Sequence, residues 1–195
     1  MILTFFLLNC FLIYILILIF YPFFNKYFPD KPNIRSSHHS ITPKGGGIIF
    51  VLISVLSCLV YQFYAPLICL PLALLGLADD KFEIKPVLRF CFQIFTSLIL
   101  ILYASPTWGM ADTPSFILIF ITLFLMILGT SIINFSNFFD GIDGLLVGNI
   151  LIIFLSISVL FDHKYFLICG ALVGFIKWNW NPAKIFMGDV GSTFL

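Results

Sequence analysis

Apolar residues run in long, nearly unbroken blocks along this chain, and polar residues collect between them. Seven blocks have helix length: 2–24, 47–64, 66–78, 86–104, 114–133, 145–161 and 165–175. A helix needs roughly 20 mostly apolar residues to cross the hydrocarbon core of a bilayer. The pattern therefore predicts about seven transmembrane helices, with an eighth beginning near the end of the chain. Blocks three and seven are short and are expected to extend into their flanks, tilt, or lie buried among other helices. The expected fold is all-α: a polytopic integral membrane protein with residues 1–195 as a single transmembrane domain. The first block has no Lys or Arg before Lys26 and no small-residue cleavage site, so it reads as an uncleaved helix and not as a signal peptide.

Seven spans alternate direction, which sorts the gaps by side. The stretches 25–47, 79–89, 134–144 and 177–192 must share one face. Nine of the ten Lys and Arg fall there; Lys164 is the exception. By the positive-inside rule that face is cytoplasmic and the N-terminus is outside. The acidic residues follow the same partition: Asp30, Asp79, Asp80, Glu83, Asp140, Asp143 and Asp189 lie on that face, with only Asp112 and Asp162 opposite. Acidic residues contribute little to orientation. Helix capping accounts for a single Asp, but not for the gathering of every polar motif on one side.

Composition agrees with a chain solvated by lipid. Hydrophobic residues make up 61% and charged residues 10%, and mean hydropathy is +1.12. Soluble domains sit nearer 45–50% and 25%, so an ordinary soluble enzyme, a disordered segment and a secreted disulfide scaffold are all excluded. A net charge of +1 offers no field for nucleic acid. Cys10, Cys58, Cys69, Cys91 and Cys169 lie inside apolar runs without metal-ligand spacing and read as reduced apolar residues.

Chemistry is therefore expected in four polar stretches. In residues 35–47, Gly45, Gly46 and Gly47 beside Lys44 suggest backbone N–H groups free to cradle an anion; a loop tied off by a helix start fits equally well. His38 and His39 are adjacent and read as loop residues. Asp79 and Asp80 repel each other at a membrane boundary, which is tolerable beside a divalent cation or basic groups. Their oxygens suit Mg²⁺, or one of them activates a nucleophile. Lys81, Lys85 and Arg89 follow at spacings of four, the pitch of one helix face, as phosphate ligands or as snorkelling side chains. Asn134, Asn137 and Asp140 would align on one helical face. Asp143 follows, and Gly after each Asp allows a sharp turn. In the last stretch Asp189 sits between glycines ahead of a helix, and Asn179 and Phe186 could hydrogen-bond and stack on a base. Together these groups suggest a Mg²⁺-dependent reaction of a soluble phosphate compound with a lipid, where catalysis is mostly positioning and charge neutralisation.

The stretches 35–47, 79–80, 134–145 and 182–192 resemble the polyprenyl-phosphate N-acetylhexosamine-1-phosphate transferases, glycosyltransferase family 4, relatives of phospho-MurNAc-pentapeptide translocase. The wording Arg35-Ser-Ser-His38 and residues 184–191 is most similar to the O-antigen-initiating branch. The resemblance runs from about Pro29 to Leu195 and implies transfer of a sugar 1-phosphate from a UDP-N-acetylhexosamine to undecaprenyl phosphate with release of UMP. The implied setting is the cytoplasmic face of a bacterial inner membrane, with Mg²⁺ as cofactor and Mn²⁺ as a substitute. It implies Asp189 and Asn137 as metal ligands and Asp79 and Asp80 at the lipid phosphate. Asp140, Asp143, Asn179 and Phe186 would line the nucleotide side, and Lys44, Lys85 and Arg89 would neutralise phosphates. It also implies about ten spans and a later loop rich in His and Arg, so the chain is expected to be the N-terminal part of a larger family fold. A homo-oligomer is compatible with this expectation. The other readings are a non-catalytic fragment or partner subunit, and a membrane transporter. Against a transporter, the carboxylates sit at one face and not at midplane, and no inverted repeat is visible. A CDP-alcohol phosphatidyltransferase would want Ala-Arg after its Asp-Gly pair, which residues 143–148 lack.

Overall fold

The computed structural model describes residues 2–30, 32, 41–82, 84–104 and 114–195. Lys31, Arg35, His38, His39, Glu83, Asp112 and the loop 105–113 lie outside the described residues. In chain order the elements are α1 (Ile2–Tyr27), β1 (Pro29–Asp30), β2 (Thr42–Pro43), α2 (Gly47–Val60), α3 (Ala65–Ile68), α4 (Leu70–Phe82), α5 (Pro86–Ala104), α6 (Ser115–Phe139) and α7 (Leu145–Leu160). A 3₁₀ turn (His163–Tyr165), α8 (Phe166–Asn179) and α9 (Asp189–Ser192) complete the described chain. The fold is all-α. Among the described residues, a two-stranded sheet pairs Pro29 with Pro43 and Asp30 with Thr42, antiparallel.

Every apolar block becomes helix, but the count of full spans changes. α1, α5 and α6 are long and apolar enough to cross a membrane, while α2 and α7 are shorter apolar helices. At 1.5 Å per residue, the 14 residues of α2 cover only about 21 Å. Among the described residues, three full-length spans thus stand where seven were expected. The third block divides at Cys69 into α3 and α4. Pro71 has no N–H to donate and its ring crowds the carbonyl four residues earlier, so it belongs in the first turn of a new helix. The third and seventh blocks also extend, to Phe82 and Asn179. Where the start of an eighth span was expected stands the single turn α9.

α8 is the centre. Its buried residues run all the way round, from Leu167 to Asn179, as expected of a helix enclosed by others. α1 lies along it, burying Asn9, Ile13, Ile17 and Phe24 on one stripe. Gly170 and Gly174, one turn apart, admit the α1 backbone. A Cβ on either would strike the carbonyl of Phe6 or Cys10, the small-residue contact common between membrane helices. A buried polar relay ties three helices: Asn9 Nδ2 donates to the Leu167 carbonyl at 2.9 Å and Ser57 Oγ donates to Asn9 Oδ1 at 2.7 Å.

α5 and α6 pack on each other with inverted polarity. They bury Gln93, Thr96, Ser97, Thr130 and Ser136, while Phe116 and Phe120 are each 72% exposed. Polar groups inside and bulky apolar groups outside is the arrangement lipid imposes. With its three span-length apolar helices, the chain is a membrane protein.

Gly170→Ala is expected to destabilise the protein by about 1–3 kcal/mol through overpacking. Gly148→Ala, whose Cβ meets nothing within 4 Å, should be neutral or stabilising. Melting temperatures in detergent decide it, and equal values for the two variants would contradict the α1–α8 contact.

Candidate active site

Helices continue past their apolar blocks and carry the polar residues with them. α4 runs to Phe82, so Asp79 and Asp80 stand on its last turn. α6 runs to Phe139, so Asn134 and Asn137 are helical and Asp140 is the C-cap residue. The stretches 79–89 and 134–144 are therefore largely helix ends and not loops. Pro86 opens a new helix, so Lys81, Lys85 and Arg89 do not share one helix face: Lys81 ends α4, Lys85 precedes α5 and Arg89 is in α5. Lys81 lies 5.3 Å from the Phe82 ring. Lys85 is exposed and makes no ion pair among the described residues.

The centre of the site joins α4, α5, α6 and α9. Asp80, whose side chain is 2% exposed, accepts the N–H of Asp189 at 3.2 Å and of Val190 at 3.3 Å. Lys44 Nζ stands 3.8 Å from the same carboxylate. Gly188, at φ 75°, makes the turn into α9. A Cβ there would come 2.7 Å from Asp80 Oδ2, so glycine is required on both counts. Asp79 accepts the Ile84 N–H at 2.6 Å and pairs with Arg89 Nη1. The same Nη1 lies 3.4 Å from Asp189 Oδ2. Asp140 accepts the Gly188 N–H at 2.8 Å, leaving its Oδ1 buried without a hydrogen-bond partner. Asn137 stands close enough to Asp189 to favour its charged form, yet its buried Nδ2 completes no hydrogen bond.

A second group of the expected residues supports this centre from behind. Asp143 accepts the Ala183 N–H at 2.9 Å. Asn179 is 1% exposed; it accepts the Gly144 N–H and donates to the Ile185 carbonyl, both at 3.2 Å. Both ends of its amide are thus committed to backbone. Phe186 is 6% exposed, its ring enclosed by protein. The glycine run is not an open anion cradle. Gly46 and Gly47 donate their N–H groups to the Phe186 and Met187 carbonyls at 3.1 and 2.9 Å, binding that stretch to the segment before Asp189.

Charge in the centre is unbalanced. Asp79, Asp80, Asp140 and Asp189 carry four formal negative charges against two positive ones from Lys44 and Arg89, leaving two in excess. Asp79, Asp80 and Asp140 lie at C-terminal helix ends, where the macrodipole also opposes negative charge. Burial, with Asp189 and Asp80 nearby, pushes the Asp140 carboxyl up to about 7 against the Gly188 and Met187 N–H groups. Burial, then Asp79 and Asp80, push Asp189 up to about 7, with Arg89 and Asn137 opposing. Asp80 is also raised by burial, against two N–H groups and Lys44. No three His, Cys, Asp or Glu among the described residues are grouped closely enough to hold an ion by themselves. Mg²⁺ asks for less, one or two carboxylates plus waters and substrate phosphates. Hard oxygen donors, an unpartnered Asp140 Oδ1 and an excess of two negative charges fit such an ion.

Gln93 escaped the sequence reading. It is 2% exposed and lines a small pocket with Asp79, Arg89, Asp189 and Thr193. The signal in the sequence is that Gln93 is the one amide of α5, among Arg89, Thr96 and Ser97; a buried amide is costly in a membrane helix and marks function or packing. Beside it two cavities along α5 and α6 share Phe90 and Asn134 in their linings. One of about 510 Å³ is lined by Pro86, Arg89, Gln93 and Asn134. The other, of about 610 Å³, is lined by Ile94, Met126, Thr130, Phe135 and other mostly apolar residues.

The profile described as Glycosyl transferase family 4 matches residues 62–195. A phospho-N-acetylmuramoyl-pentapeptide-transferase of Fervidobacterium nodosum is 31% identical over 86% of this chain and 58% of its own length. Undecaprenyl-phosphate alpha-N-acetylglucosaminyl 1-phosphate transferases of Thermotoga maritima and Escherichia coli are each 29% identical, over 86% and 85% of this chain and 53% and 52% of their own lengths. The chain thus spans little more than half the length of these relatives.

Two outcomes follow from this geometry. Without divalent ions, stability should fall as pH rises from about 4 to 7, because the native carboxyls bind protons that the unfolded chain has released; above about pH 8 the curve should flatten. Melting curves across pH in detergent would show it, with a shallower slope for Asp189→Asn and added Mg²⁺ restoring stability at pH 7.5. Asp80→Ala leaves two N–H groups without their acceptor and should cost about 1–3 kcal/mol; an unchanged melting temperature would remove Asp80 from the role of anchor.

Proposed function

We propose, from the premise that the chain belongs to glycosyl transferase family 4, that it transfers an N-acetylhexosamine 1-phosphate from a UDP-sugar to undecaprenyl phosphate. The reading extends to the start of cell-envelope polysaccharide synthesis of the O-antigen type, at the cytoplasmic face of a bacterial inner membrane with the N-terminus outside. The observation that carries it is the contact of Arg89 with both Asp79 and Asp189, together with a mostly apolar groove along α5 and α6 that reaches Arg89. A charged head and a long apolar tail on one acceptor match that junction.

In the reaction an oxygen of the lipid phosphate attacks the β-phosphorus of the UDP-sugar. A new P–O bond forms, the bond to the bridging oxygen breaks, and UMP leaves with those electrons. Mg²⁺, or Mn²⁺ in its place, would be held by Asp189 and Asn137 and would neutralise charge building on the phosphate oxygens. Arg89 holds the lipid phosphate beside Asp79, and Asp79 orients Arg89. Asp80 fixes the backbone of Asp189, so it acts as a positioning residue. Lys44 offsets the charge of Asp80, and the exposed Lys85 draws anionic substrate to the mouth. Asp140 and Asp143 hold the segment 183–188 as the nucleotide-side wall, with Asn179 and Phe186 packed behind it.

The test is UMP release from UDP-N-acetylglucosamine with undecaprenyl phosphate in proteoliposomes. Turnover should need Mg²⁺, and Asp189→Ala should lower kcat by about 10²–10³-fold or more, the scale of losing one charge-stabilising group. Undiminished turnover in that variant refutes its role. Solute uptake without nucleotide-sugar consumption would favour a transporter, and no turnover by folded, ion-binding protein would favour a non-catalytic partner.

A further inference from the structure

Gln93 and Asn134 face each other across α5 and α6 in a reciprocal amide pair. Gln93 Nε2 donates to Asn134 Oδ1 at 3.3 Å, and Asn134 Nδ2 donates to Gln93 Oε1 at 2.8 Å. Asn134 Nδ2 also reaches the Thr130 carbonyl at 2.9 Å. Among apolar helices two amides this close have few other partners, so the pair sets the register of one helix against the other. Register matters here because of what stands one turn away. Arg89 precedes Gln93 by one turn of α5, and Asn137 follows Asn134 by one turn of α6, and both converge on Asp189. Gln93 itself lines the pocket that holds Asp79, Arg89 and Asp189.

We infer that the Gln93–Asn134 pair is a positioning clamp that holds Asn137 and Arg89 in place around Asp189 for ion binding. It is not itself an ion ligand and acts on the ion through those two side chains. Outer-shell partners of metal ligands typically change affinity by about 10–100-fold when removed. The inference rests on the ion site proposed above.

The experiment uses Mn²⁺ as probe, titrated by electron paramagnetic resonance into purified protein, alongside melting temperatures. Gln93→Met and Asn134→Leu break the pair; the double swap Gln93→Asn with Asn134→Gln restores two complementary amides in exchanged places. Each single variant is expected to weaken Mn²⁺ binding by about tenfold or more, and the swap to recover most of that loss. Unchanged Mn²⁺ affinity in the single variants, with or without a lower melting temperature, makes the pair purely structural and overturns the inference. So does a swap that binds as poorly as the single variants. If one single variant fails to fold, the other and the swap give the same reading. Wild-type protein that binds no Mn²⁺ overturns the ion site and the clamp together. Wild-type protein that binds Mn²⁺ but releases no UMP sinks the reaction alone and leaves the clamp standing.

Discussion

Two backbone N–H groups at the start of α9 point at a carboxylate carried 109 residues earlier in the chain. Asp80 is almost wholly enclosed, and a buried carboxylate is costly unless its lone pairs are satisfied and its charge is opposed. Asp189, Val190 and Lys44 meet both conditions. The close approach also requires Gly76 in α4, where any Cβ would strike the Asp189 carbonyl. With α9 held this way, the Asp189 side chain faces Asp79, Arg89 and Asn137. The Asp140 carboxylate on the Gly188 N–H and the Gly47 N–H on the Met187 carbonyl hold the same turn beside this anchor.

Asp79 and Asp80 look equivalent as neighbours, but the helix gives them different surroundings. One is turned toward α9 backbone and the other toward Arg89 and the pocket. Asp79, Asp80 and Asp140 also lie at C-terminal helix ends, where the backbone field raises the cost of each of their charges. Such a site holds its protons near neutrality or takes up a cation. Phosphoryl transfer is served by this arrangement, because an unbalanced set of fixed oxygens recruits the positive charge that phosphates require.

The bilayer shapes the site as strongly as the charges do. α5 and α6 turn Phe and Leu outward and keep Gln93, Thr96, Ser97 and Thr130 between them. Lipid cannot satisfy an amide, so Gln93 and Asn134 pair across the two helices. That need draws the start of α5 and the end of α6 together, and Arg89 and Asn137 come with them.

Sequence alone determined where the helices lie and that Asp79, Asp80, Asn137, Asp140 and Asp189 belong to one polar zone. Apolar blocks and the residues that interrupt them are local signals, and local energetics place them. It misjudged how much membrane each helix could cross, because the 14 residues of α2 and of α8 draw support from packing that hydropathy does not record. Tertiary structure alone decided the division between Asp79 and Asp80, the burial of Asn179 and Phe186 as wall, and the use of Gly46 and Gly47 as donors to the Phe186 and Met187 carbonyls. Only it brought Gln93 beside the centre. Most of these outcomes turn on contacts between residues about 35 to 140 positions apart, while Asp79 is set apart by Ile84 and Arg89, 5 and 10 positions away across a helix break. Such contacts form only when helices pack, so no window of neighbouring residues contains the forces that select them.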